Sequence, residues 1–148
     1  MKLFNREPCK HMIIIGCGHL GSALASISSD QNQIVSIVDI DENSFKKLPS
    51  SYKGYSIEGD GTDTDVLEIA GARTADVLIA ATDDDNTNIM IAQIAKQHYH
   101  IQNVVARVYD TSKNAVYDQM DIEAVCPELL SLNEVRKVLL NVREEKAV

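Results

Sequence analysis

Cysteine is scarce in this sequence, and what there is lies scattered. Cys9, Cys17 and Cys126 are an odd set with no C-x-x-C spacing, which excludes a disulfide framework and fits a reducing cytoplasm. Positive charge is also short. Fourteen Lys and Arg face 22 Asp and Glu, a formal net charge of −8. That balance excludes nucleic acid and anionic membrane surfaces as main partners, because both select for basic patches. No apolar run approaches the roughly 20 residues that span a bilayer, so no direct membrane insertion is expected. The first ten residues are charged, contain Pro8 and lack the apolar core of a secretory signal. They read as a polar arm over 1–10. The whole chain is 45% hydrophobic, and 148 residues suffice for one domain with a real core.

The rest of the chain is arranged around Gly16-Cys17-Gly18-His19-Leu20-Gly21, a G-x-G-x-x-G. The apolar run Met12-Ile13-Ile14-Ile15 precedes it, and Leu20, Leu24 and Ile27 follow at helical spacing. The motif therefore stands where a buried strand turns into a helix, the context in which it binds phosphate. The first glycine permits the tight turn, the second lets a phosphate approach the backbone, and the third lets helix pack on strand. Free N–H groups and the helix dipole then face the anion. A second apolar strand, Ile34-Val35-Ser36-Ile37-Val38, ends in Asp39. A carboxylate at that spacing reaches ribose hydroxyls and repels a 2′-phosphate, favouring NAD or an adenosine nucleotide over NADP.

Strands are predicted over 11–15, 33–39, 55–58, 76–81, 103–108 and 123–126, with helices over 19–29, 42–48, 63–70, 84–98 and 111–119. Gly71 stops the third helix and Pro49 the second. Ile91, Ile94, Ala95 and His98 form the buried stripe of the fourth, with His98 packed. This alternation implies an α/β, Rossmann-type doubly wound parallel six-stranded sheet, with an additional C-terminal helix. The domain spans 11–127. In 128–148, Leu132, Val135, Leu139 and Val142 form an apolar stripe with Val138 beside it, on a helix of three to four turns. It either folds back on the sheet or leaves the domain to pair with another subunit. The tail Arg143-Glu144-Glu145-Lys146 is expected in solvent.

Five stretches together resemble the TrkA N-terminal, or RCK N-terminal, domain of potassium channels and transporters. They are the glycine loop; Val38-Asp39-Ile40-Asp41; Gly59-Asp60-Gly61-Thr62-Asp63 with Val66-Leu67 and Ala70-Gly71; Ala75-Asp76, then Ala80-Ala81-Thr82-Asp83-Asp84-Asp85 with Asn88; and Ala106-Arg107-Val108. The resemblance covers about residues 10–130. It implies a cytoplasmic regulatory subunit, not an enzyme. Such subunits assemble as homo-oligomers, from dimers to octameric rings, sometimes with a second regulatory subunit, beneath a potassium-conducting membrane subunit. NAD(H), AMP, ADP or ATP bind and change the ring's shape. The family's C-terminal ligand-binding domain has no room after Pro127, so the chain is a stand-alone subunit of N-terminal type or a piece of a longer protein. The competing readings are a small NAD-dependent oxidoreductase and an adaptor Rossmann domain.

The site residues implied are Gly16, Cys17, Gly18, His19, Leu20, Gly21, Asp39, Ile40, Asp60, Gly61, Ala80, Ala81, Thr82 and Arg107. Relatives often carry arginine where this chain has His19, and a shorter, near-neutral histidine weakens triphosphate recognition. The resemblance places adenine near Asp60-Gly61. Asp41 is read as a helix start, and Thr62 or Asp63 as another. The run Asp83-Asp84-Asp85 lacks metal-site spacing and is explained by helix-dipole preference, with Thr82 or Asp83 as N-cap. Arg107, alone in an apolar strand, needs either a ligand phosphate or a carboxylate such as one from 83–85. Cys17 at a helix start could carry a depressed pKa.

Overall fold

The structure is a computed structural model that describes residues 9–147. Most of the expected polar arm lies outside the described residues. Strands β1 (His11–Ile15), β2 (Ile34–Asp39), β3 (Tyr55–Glu58), β4 (Val77–Ala80), β5 (Asn103–Arg107) and β6 (Glu123–Val125) form one sheet in the order 3-2-1-4-5-6. All its pairings are parallel, with Ile14 beside Ile37 on one side and Ile79 on the other. Helices α1 (His19–Asp30), α2 (Thr64–Ile69), α3 (Asp85–Gln97) and α4 (Asn114–Gln119) make the connections, with 3-10 turns at Glu42–Lys47 and Thr111–Lys113. After β3 the chain returns to the centre and continues the other way. The switch point therefore falls between β1 and β4, where a sheet of this order binds its ligands.

Successive residues of a strand face opposite sides, and the core divides accordingly. Ile13 and Ile15 join Val38, Leu67, Leu78, Ile91, Val104 and Tyr117 on one face. Ile14 joins Val35, Ile37, Ile79 and Ala25 on the other. Burying each large aliphatic side chain stabilises the fold by about 1.5–3 kcal/mol.

Three expectations need correction. The sheet-facing side of α1 is Gly21, Ser22, Ala25, Ser28 and Ser29, while Ile27 is 58% exposed. A Cβ on Gly21 would overlap the Gly16 carbonyl oxygen, so the helix runs close to the strand and only small side chains fit between; Leu20 and Leu24 flank that contact, half-buried. His98 is exposed and stacks edge-on against Tyr99, because α3 ends at Gln97 and the Ile101 N–H bonds back to the Ala95 carbonyl, sending Ile101 inward instead. The last helix, α5 (Pro127–Ala147), does not fold back on the sheet. It is 21 residues long, about 31 Å and longer than three or four turns, and is exposed from Glu128 to Asn141. Arg143 is exposed as well; the side chains of Val142 and of the rest of the tail lie outside the described set.

Candidate functional site

At the carboxyl ends of β1, β2, β3 and β4 lies a cleft of about 650 Å³. Its floor is the glycine turn. Gly16 has φ +105°, a conformation that strains any L side chain, and a Cβ there would stand 2.6 Å from the Ala81 carbonyl oxygen. Gly18, which lines the cleft, differs: a Cβ on it would meet nothing within 4 Å. The missing side chain at Gly16 serves the fold, and the one at Gly18 leaves space in the cleft. Helices α2 and α3 and both 3-10 turns start on aspartates, Asp63, Asp84, Asp41 and Asp110. Helix α1 starts on Gly18, with no side-chain cap and no acid in its first turn. Its first N–H groups are therefore open to an anion.

Asp39 ends β2 at the cleft wall. Its Oδ2 accepts the Cys17 N–H at 2.8 Å and its Oδ1 the Asp41 N–H at 2.9 Å. These bonds fix the carboxylate, and each oxygen keeps acceptor capacity for a hydroxyl. Ile40, 73% exposed, continues the wall. On the other side, Asp60 accepts both the N–H (2.8 Å) and the hydroxyl (2.7 Å) of Thr62, which holds its carboxyl below the ordinary range. Gly61 is buried, and a Cβ there would collide with the Ile15 side chain. Ala81 and Thr82 complete the lining. Thr82 is braced by Asn88, which is wholly buried: Asn88 Oδ1 accepts the Thr82 N–H and hydroxyl, and its Nδ2 donates to the Thr82 and Arg107 carbonyls.

Five predicted residues stand apart from the lining, and Gly21 is one of them, packed against the Gly16 carbonyl beneath α1. His19 is exposed on the outer side of α1's first turn, Leu20 is half-buried beneath it, and Ala80 is buried in the core because the chain emerges only at Ala81. Arg107 closes β5 and is held by Glu128 of α5 at 2.8 Å; Asp83 is its weaker partner at 3.9 Å. The strong carboxylate is thus not one from 83–85. Nor is Thr82 or Asp83 the N-cap of α3. Asp84 is, because its side chain accepts the Thr87 N–H at 2.7 Å. Asp85 instead accepts the Tyr109 and Asp110 N–H groups, so the three aspartates do separate work. The Cys17 thiol is buried and lies near Asp39. Burial first, and that carboxylate second, push its pKa up, opposite to the expected depression.

Sequence reasoning did not place Ser44, Lys47, Asp83, Asp84, Thr87 or Met90 in the lining. Ser44 and Lys47 are three apart in a 3-10 turn, where such residues eclipse one another.

A parallel sheet in this order, with a glycine turn below the cleft and an acid ending β2, defines a Rossmann-type α/β domain. The chain belongs to the TrkA-N domain family, which it matches over residues 12–128. It is 36% identical over 130 residues to the Trk system potassium uptake protein TrkA of Streptomyces coelicolor, covering 88% of this chain and 58% of that protein. The chain therefore spans little more than half of that relative. Among solved structures, the GsuK RCK domain is similar with a TM-score of 0.74 and 25% identity, over 90% of this chain and 29% of that one. The Shewanella denitrificans Kef CTD in its AMP-bound form is similar with a TM-score of 0.68 and 25% identity, over 88% and 80%.

Proposed function

We propose that this domain is a nucleotide-sensing regulatory unit of a potassium uptake system, and not a catalyst. Binding of AMP, ADP, ATP or NAD(H) in the cleft shifts the arrangement of neighbouring subunits beneath a potassium-conducting membrane subunit, on the cytoplasmic side. The observation that carries this is the pairing of Asp39 with the open space over Gly18. The first suits a ribose diol, and the second a phosphate resting on the α1 N-terminus. A Kef CTD has been solved with AMP, and GsuK with ADP and with NAD. Helix α5 is the inter-subunit element of this reading, since Leu132, Val135 and Leu139 are each more than half exposed. Subunits meet through it in a dimer or a ring, alone or with a second kind of regulatory subunit. A nucleotide moves such an assembly only by binding one arrangement more tightly than the other.

The test is calorimetric titration with AMP, ADP, ATP, NAD and NADH, with mass in solution recorded alongside. Binding that Asp39→Ala weakens roughly 10- to 100-fold, coupled to a change in assembly, supports a sensor. A monomer that binds none of them leaves an adaptor domain as the better account.

A further inference from the structure

We infer that Glu128 is a specificity-determining residue: it occupies Arg107 and so opposes nucleotides with longer phosphate chains, and the same competition releases α5. This rests on the nucleotide reading above.

The geometry is a row of strand ends. From Asp39 on β2 the order runs to the glycine loop after β1, to Thr82-Asp83 after β4, and to Arg107 on β5. Neighbouring strands lie about 4.8 Å apart, so Arg107 stands roughly 14 Å from Asp39, three steps along. A nucleotide whose ribose is held by Asp39 puts its first phosphate over the glycine loop. Each further phosphate extends toward Asp83 and then Arg107. AMP stops at the first step, ADP goes further, and ATP comes nearest to the guanidinium.

Arg107 is built to receive an anion yet is already engaged. Its side chain is only 16% exposed, its Nη2 bonds Glu128 Oε1 at 2.8 Å, and its guanidinium lies 4.6 Å from the Tyr109 ring centre. Its Nε is buried and has no acceptor among the described residues. Asn88 fixes the Arg107 backbone to the cleft wall at Thr82, so the guanidinium keeps its position relative to the site. Glu128 sits in the first turn of α5, a helix exposed from that residue to Asn141. The Arg107–Glu128 pair therefore ties α5 to the sheet. A phosphate arriving at Arg107 meets the negative charges of Glu128 and Asp83 and competes for the same donors. Since linkage is reciprocal, whatever the phosphate gains by displacing Glu128 is subtracted from the hold on α5.

The experiment compares wild type with Glu128→Gln, titrating AMP, ADP and ATP without divalent cation. Circular dichroism and thermal unfolding verify that the variant is folded. The ratio of wild-type to variant Kd is expected near one for AMP and to rise with phosphate number, to about three-fold or more for ATP. Hydrogen exchange at the start of α5 should quicken in wild type on adding ATP, and be already fast and unresponsive in the variant. A ratio that is flat across the three nucleotides, or below one for ATP, overturns the inference while leaving the nucleotide site standing. Absence of binding by wild type to all three overturns the nucleotide reading itself, and this inference with it.

Discussion

Aliphatic side chains meet opposite conditions in the sheet and in α5. Ile13, Ile14, Val35, Ile37 and Leu78 are wholly buried, whereas Leu132, Val135, Val138 and Leu139 are each 54–61% exposed. The sheet and its connecting helices bury a continuous core and leave only scattered apolar side chains such as Ile27 and Ile69 exposed. Helix α5 has its backbone bonds and the Arg107–Glu128 pair, and its apolar side chains face solvent within the chain. A helix gains most of its stability from tertiary packing, and α5 makes little. The body of the domain holds the cleft, and α5 projects from it as the part with the fewest contacts to the sheet.

The largest expected effect tests this contrast directly. Leu78→Ala removes a fully buried side chain from the core and should cost about 2–5 kcal/mol in urea unfolding. Leu139→Ala, at a position 58% exposed, should change the unfolding free energy of the dilute chain by less than about 0.5 kcal/mol. It should weaken self-association, read by sedimentation. Equal costs at every protein concentration would mean that α5 packs on its own domain.

A second contrast lies within the glycine motif. Gly16→Ala places a Cβ against the Ala81 carbonyl at a left-handed φ, and should destabilise the fold by about 1–3 kcal/mol. Gly18→Ala should leave the melting temperature nearly unchanged and weaken nucleotide binding by about tenfold or more, because the added methyl fills the space over the loop. If Gly18→Ala binds nucleotide as wild type does, the phosphate does not rest there.

Most of the fold was legible from residue order. Continuous apolar runs such as Ile13-Ile14-Ile15 and Val77-Leu78-Ile79-Ala80 fit strands buried on both faces, and β1 and β4 lie there; the edge strands β3 and β6 carry no such run and were legible from the strand–helix alternation. The glycine loop and Asp39 were legible because their spacing carries the geometry of the turn. Other features arise from proximity across the fold. Arg107 and Glu128 are 21 residues apart, and nothing local pairs them. Ile27 suits a buried helical stripe by chemistry, yet the close approach forced at Gly21 gives that face to Ser28 and Ser29. Likewise Asp84 caps α3 although Asp83 and Thr82 are equally good cap residues, because only a folded chain decides which side chain reaches an N–H three residues on.

The smallest effect concerns two carboxylates that tie peripheral segments to the sheet. Asp76 accepts the Lys10 and His11 N–H groups, which hold its carboxyl below the ordinary 3.8. Glu128 is likewise held below 4.5, chiefly by its hydrogen bond from Arg107. A depressed folded value means that each contribution is complete above the ordinary value and is lost as pH falls through the depressed one. Asp76→Asn should therefore lower the urea midpoint slightly and by a constant amount from pH 7 to pH 5. The difference from wild type should shrink below pH 3.8 and vanish once wild-type Asp76 is protonated. Glu128→Gln should leave the global midpoint unchanged across the same range, because the helix it tethers is not part of the cooperative core. A Glu128→Gln deficit with the same pH profile as Asp76→Asn would instead make α5 part of the unit that unfolds with the sheet. The contrast between buried sheet and exposed helix would then describe solvent contact alone, and not cooperativity.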